Sequence, residues 1–379
     1  NFGPADWSEV GCDDIAKCPG WPTNWAERSD YIPYYQGMPN TCLDCSESNS
    51  KECRDSPQSP IDLDTGITAI RECKDWHKMT FQTGNCRFNK MNFEILPHVL
   101  RAGQPETGCQ INPCVDFSFG FAEEWLLRHT DISLPSQHTL NGKRFAGEVI
   151  LTHVLGVNVS NKEIGNVSWL LEVGTEVDFY DFLELYIRRW RNVAKKTVRD
   201  CIKRRRMKEN GNPLHAPPVR LLESLPLSET NYTEPEPMDV LSRPFFDCRQ
   251  RKFHPYDWWD EAQTEYYFRY EGSLTEPPCV RTAHWRVMRR PIRVAPSQIR
   301  ALEKLLAERI DPDTCEAYTA GRPRDGDTTA VDVNRPLQKY RHTHKLVYCE
   351  CVDWKSRFRV DGEYCSFPME VRGVSNFTN

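Results

Sequence analysis

In the segment CVDFSFGFAEEW, residues 114–125, Phe117, Phe119 and Phe121 alternate with Ser118 and Gly120. Period-two alternation marks a strand whose faces differ. Ser118 and Gly120 are therefore predicted to share the face opposite the phenylalanines, where they offer no base, acid or strong metal ligand. Among the ten histidines, His342 and His344 in RHTHKL have the two-residue spacing that aims two rings at one ion. No third ligand stands near them, and the pair reads as a solvated strand start. His77, His98, His129, His215, His254 and His284 are isolated, while His138 and His153 read as hydrogen-bonded core residues. No nucleophile elbow, glycine-rich phosphate loop or Ser–His–Asp arrangement is evident.

The strongest charge feature lies in residues 188–208, which hold eleven Lys and Arg against one acid, Asp200. Wound as a helix, the segment keeps an apolar stripe inward and turns Arg188, Arg189, Arg191, Lys195, Lys196, Arg199, Lys203, Arg204, Arg205 and Arg206 to the remaining faces. That pattern fits an anionic partner, an acidic segment of the chain itself, or a solvated face. Net charge is only −5, so nothing global indicates nucleic acid.

Sixteen scattered cysteines favour disulfides formed in an oxidising compartment over metal knuckles. The single CxxC, Cys42 to Cys45, has no second pair at zinc-finger spacing. Four glycosylation sequons, at Asn158, Asn166, Asn231 and Asn376, agree with secretion. No apolar run reaches membrane-span length.

These residues need elements to hold them. Residues 1–55 form a Cys- and acid-rich lead-in. From QSPIDLDT onward, short alternating runs such as RFNKMNFEI, GEVILTHVLGV and NVSWLLEVG predict strands. A helical insert is expected over about 176–208, with Phe179, Leu183, Ile187, Trp190, Ala194, Val198 and Cys201 inward. The stretch 209–245 carries seven prolines and reads as a surface excursion. PSQIRALEKLLAERI predicts a second helix with Ser297 as N-cap. Residues 341–379 form a Cys-rich extension. The expected class is α+β, mostly β: a large, twisted, mainly antiparallel sheet with surface helices and disulfide-stapled loops.

QSPIDL (58–63), PSQHTLNGKRFAGEVILTH (135–153), YEGSLTEPPC (270–279) with Trp285, and NRPLQ (334–338) stand in the order found in α-class carbonic anhydrases. The chain resembles that family over residues 5–340. Its lead-in CPGWPTNW and helical insert resemble the secreted algal and diatom branch. The resemblance implies one domain, about 56–340, around a conical pocket. Family chemistry needs three histidines on zinc, leaving a fourth position for water whose pKa falls to about 7. By the resemblance, the His-x-His pair falls on Ser118 and Gly120, the third ligand on Ile150, the gatekeeping glutamate on Gln137 and the proton shuttle on Met91. Glu148 and Thr275 are retained. The resemblance also implies a Cys53–Cys279 disulfide.

The expectation is therefore a secreted, glycosylated protein without zinc or hydratase activity. It would be an extracellular binding or structural module for a protein or anionic glycan, within a larger surface assembly. The alternative is an active zinc-dependent CO₂ hydratase with a rearranged metal site.

Overall fold

The computed structural model describes residues 40–47, 50–63, 80–82, 86–104, 114–116, 125–155, 163–209, 266–324, 327–339 and 346–349, with Ser8, Pro255, Tyr256 and Trp258. A five-residue helix, α1 (Lys51–Asp55), precedes β1 (Asp62–Leu63), β2 (Thr80–Gln82), β3 (Asn92–Ile95) and β4 (Leu100–Gly103). Then come β5 (Cys114–Asp116), β6 (Trp125–Ser133), β7 (Thr139–Leu140), β8 (Lys143–Arg144), β9 (Gly147–Leu155) and β10 (Ile164–Val173). The long helix α2 (Asp181–Glu209) leads on to β11 (Tyr266–Gly272), β12 (Ala283–Met288), β13 (Ile292–Val294) and α3 (Pro296–Ala307). The described chain closes with β14 (Arg322–Arg324), β15 (Asp327–Asp332) and β16 (Leu346–Cys349).

Eleven strands make the main sheet, in the order β16-β11-β12-β10-β9-β6-β4-β3, with β13 on β10, β5 on β6 and β2 on β5. β10 runs parallel to β12 and β13, and the other ladders of this sheet are antiparallel. β9 is buried at every position but the last, which explains why GEVILTHVL lacks clean polar alternation: both faces of the central strands are covered.

The two faces carry different chemistry. Val149, Leu151, Val167, Trp169 and Leu171 belong to an apolar core shared with α2 and α3. The opposite face holds Glu148, Ile150, Thr152, Asn166, Ser168 and Trp285, all buried.

Helix α2 covers the apolar face, as its inward stripe requires. Leu183, Ile187, Trp190 and Cys201 are buried, and Phe182 and Tyr186 join them. Phe179 instead precedes the helix and is 38% exposed. Tyr186 and Trp190 meet Phe93 edge-on, and Trp190 Nε1 donates to the Arg101 carbonyl at 3.0 Å.

The N-cap of α3 is Ala295 with Pro296 in the first turn, not Ser297. Proline's fixed φ suits that first position. Ser297 lies one residue further in, where its hydroxyl donates to Glu176 Oε2 at 2.6 Å and its amide to Glu176 Oε1 at 3.2 Å. A remote carboxylate thus does the work of the cap.

Three disulfides have both partners described: Cys42–Cys279, Cys45–Cys53 and Cys201–Cys315. The expected Cys53–Cys279 bridge is therefore incorrect. Thr41 lies along the 278–279 turn, donating both its amide and its hydroxyl to the Pro278 carbonyl, and so delivers Cys42 to Cys279. Cys53 on α1 is left facing Cys45, eight residues earlier. Both cysteines of the lone CxxC are consumed in these bonds.

Candidate functional site

The ladder fixes which side chains share the face opposite the α2–α3 core. Ile150 pairs with Asp131 of β6 and Ser168 of β10, and Glu148 with Ser133 and Leu170. Asp131 and Ser133 therefore form the two-residue repeat beside Ile150 on the neighbouring strand, with His129 across from Thr152. This changes the assignment made from the sequence. Ser118 and Gly120 lie outside the described residues, and β5, just before them, reaches β6 only at Trp125 and Leu126. The strand beside Ile150 is β6.

Arg101 of β4 enters this face next to Asp131, its ladder partner. Its Nε donates to Asp131 Oδ1 at 2.8 Å and its Nη2 to Asp131 Oδ2 at 2.6 Å, a bidentate fork. The same Nη2 donates to Glu276 Oε1 at 2.7 Å, while His98 Nε2 donates to Glu276 Oε2 at 2.6 Å. His129 Nε2 lies 3.4 Å from Asp131 Oδ2. All five residues are buried.

One guanidinium between two carboxylates shapes the titration. Burial, reinforced by Arg101, pushes His129 well below the ordinary imidazole range, so it is neutral at neutral pH. Burial raises Asp131 despite the Arg101 fork. Burial would raise Glu276 too, but Arg101 and His98 outweigh it and hold Glu276 far below the usual carboxylate range.

Glu148 faces another set of partners. His138 Nδ1 lies 2.7 Å from Glu148 Oε1, and the His138 amide donates to Oε2 at 2.9 Å. His138 Nε2 is 2.5 Å from the Tyr270 hydroxyl, which donates to Ser59 Oγ at 2.9 Å. Trp285 packs edge-on to the His138 ring, with centroids 4.7 Å apart. Burial tends to raise the Glu148 pKa, yet the charge and hydrogen bonds of His138 bring it below the usual range. His138 is thus the expected core histidine. His153 is as well: its ring nitrogens reach the Gly165 carbonyl at 3.0 Å and the Tyr256 hydroxyl at 3.2 Å, and burial pushes it down to about 3.

Gln137 donates through Nε2 to Ser133 Oγ at 3.0 Å and accepts from the Arg335 amide at 2.9 Å. Arg335 donates to the Leu43 and Ser59 carbonyls and to Gln58 Oε1, drawing NRPLQ, QSPIDL and the lead-in together. Thr275 is partly exposed and precedes Glu276. Met91 does not face this site: it is 4% exposed in the opposite, helix-covered core. It shares that core with Phe88 and Phe93.

The sequence reading missed Arg101, Asp131 and Glu276 and left His98 and His129 as isolated histidines. TDIS, immediately before LPSQHT, carries the signal that was available: a period-two pair ending four residues before Gln137. His342 and His344 lie outside the described residues.

Among the described residues, no three imidazoles converge on this face. Ile150 offers no donor, Ser133 is engaged with Gln137, and the Asp131 carboxylate is held by the Arg101 guanidinium. His129, Asp131 and Glu276 do bring one potential ligand atom each within 4.8 Å of one another, but Arg101 lies against both carboxylates.

On α2, Arg188 and Arg191 reach Glu184, Lys196 pairs with Asp200, and Arg189 lies over Phe88 and Phe93. Arg204 donates to the Pro312 carbonyl, and Arg205 is half-buried. Lys195, Arg199, Lys203 and Arg206 are exposed and fall near one line of the helix, spaced four, four and three residues apart. Asn166 is 0% exposed in β10, so this sequon cannot carry a glycan in the folded chain. Asn158, Asn231 and Asn376 lie outside the described residues.

The architecture is carbonic-anhydrase-like, and residues 242–344 match the family model for eukaryotic-type carbonic anhydrase. Human carbonic anhydrase 12 is 48% identical over 44 residues, 12% of each chain. Dioscorin dioA3 of Dioscorea japonica is 24% identical over 185 residues, 49% of this chain and 48% of that protein. The chain thus matches less than half the length of either relative. Carbonic anhydrase Cah3 of Chlamydomonas reinhardtii, solved with acetazolamide, has a TM-score of 0.47 at 17% identity, covering 81% of this chain and 96% of that one. Dioscorin complexed with ascorbate has a TM-score of 0.45 at 16% identity, covering 92% and 98%.

Proposed function

We propose that this chain is a carbonic-anhydrase family protein that does not hydrate CO₂ and serves outside the cell as a binding or structural module. One observation carries the reading: the buried face opposite the helices has an isoleucine and an arginine–carboxylate fork, whereas the chemistry needs three neutral imidazoles and a metal-bound water. The lead-in and the α2 insert are the grounds for placing it near the algal and diatom branch, with a lead-in to residue 55, a domain over 56–340 and a separate extension beyond. The disulfides support an oxidising, secretory location. Among the described residues, no helix is long and apolar enough to cross a membrane.

The test is zinc content after dialysis against a weak chelator, together with a CO₂ hydration assay. No stoichiometric metal and no hydration above buffer are expected; one equivalent of zinc with turnover would overturn the reading. The second reading, a rearranged zinc hydratase, draws on the His129, Asp131 and Glu276 donors, and the same measurement decides it.

For the partner, the exposed line Lys195, Arg199, Lys203 and Arg206 favours an anionic glycan, within a surface assembly, over a neutral protein face. Retention on a sulfated-polysaccharide column should fall with salt. It should be lost when the four residues are changed to Glu; unchanged retention would remove α2 from the interaction.

A further inference from the structure

We infer that Arg101 fills a latent divalent-metal site, its Nη2 lying between Asp131 and Glu276, the two carboxylates that an ion would share with His129. The inference rests on the non-catalytic reading of the same face and states what closed it to metal.

One donor pair already has the spacing of an ion's ligands. Zinc bonds of about 2.0–2.2 Å in a tetrahedron place neighbouring donors about 3.4 Å apart. His129 Nε2 and Asp131 Oδ2 are separated by 3.4 Å, and Glu276 completes a set lying within 4.8 Å. Two carboxylates and an imidazole suit a divalent cation. His98, bonded to the far oxygen of Glu276, orients that carboxylate as outer partners orient metal ligands.

Arg101 supplies the cation instead. A single nitrogen, Nη2, touches Asp131 Oδ2 and Glu276 Oε1, the two oxygens a metal would bridge. The Arg101 side chain is 2% exposed and its backbone is held in β4, with its carbonyl bonded to Trp190. Metal entry therefore requires displacing a buried charge. The compensating cation comes from within the chain.

The experiment compares the wild type with Arg101→Met and Arg101→Lys, each dialysed with zinc and then against a weak chelator. Zinc content and the thermal midpoint with and without zinc are read. The wild type and R101K should retain no stoichiometric zinc and show no shift. R101M should retain one equivalent and melt higher with zinc, and adding Glu276→Gln should abolish both effects. If R101M folds only with zinc, that rescue supports the inference.

R101M that stays metal-free, or that zinc does not rescue, overturns it. So does zinc uptake by R101K at this site, because the cation would then not be what excludes metal. CO₂ hydration by the wild type would strike the non-catalytic reading, whereas a metal-free R101M would leave that reading standing and remove only the latent site.

Discussion

Ile150 faces Asp131 across the ladder, with Glu148 two residues before it on β9, so one substitution cannot assemble a three-imidazole metal centre there. Ile150→His should bind no stoichiometric zinc and give no CO₂ hydration, because Arg101 still holds Asp131 and no second imidazole is added. Turnover in that variant would show that the fork yields easily. The buried histidines set an acid limit on stability. His153 titrates near 3 in the fold and near 6.5 when unfolded, so below about 6.5 the unfolded chain takes up a proton that the fold refuses. The resulting loss is about 1.4 kcal/mol per pH unit for one such group, continuing down to about pH 3. His129 acts in the same direction. Glu148 and Glu276, both lowered, contribute stability that is present above the unfolded carboxylate range and lost as pH falls through their native values. Asp131, which is raised, works the opposite way. The urea midpoint should therefore fall between pH 7 and pH 5, before carboxylates titrate in the unfolded chain; a flat profile would contradict the buried neutral histidines.

Helix α2 shows what local pattern can and cannot fix. Its apolar repeat predicted a helix over about 176–208, and the structure gives Asp181–Glu209, because a local property, one face against the sheet, decides it. The strand carrying the pocket pair was harder to read. Residues 114–121 and TDIS both alternate, and only the pairing of β6 with β9 distinguishes them. The Arg101 fork and the Cys42–Cys279 bond join residues 30 and 237 positions apart, separations that leave no trace in spacing. The outer end of α2 depends on such a long-range tie. Val198, Cys201, Ile310 and Cys315 form a small cluster around the Cys201–Cys315 bond. Changing both cysteines to serine should cost about 4–5 kcal/mol on chain-entropy grounds for a loop of 114 residues. Amide exchange should accelerate around 198–209 while 183–190, anchored by Trp190, stays protected. Uniform exchange along the helix would count against that division.

At the scale of the molecule, the sheet decides which sequence signals are available to solvent. Asn166 pairs with Thr152 on one side and Trp285 on the other, so its triplet is a strand sequence rather than an acceptor. Peptide mass mapping of protein expressed through a secretory pathway should find it unmodified; a glycan there would mean the central ladder is wrong. The disulfides have a comparable reach. Both Cys42–Cys279 and Cys201–Cys315 straddle every peptide bond between positions 201 and 279. A protease that cuts once anywhere in that span makes two chains but releases neither. Such a nicked protein should run as a single species on a denaturing gel without reductant and as two with it. A chain built this way can be opened at its middle and remain one molecule.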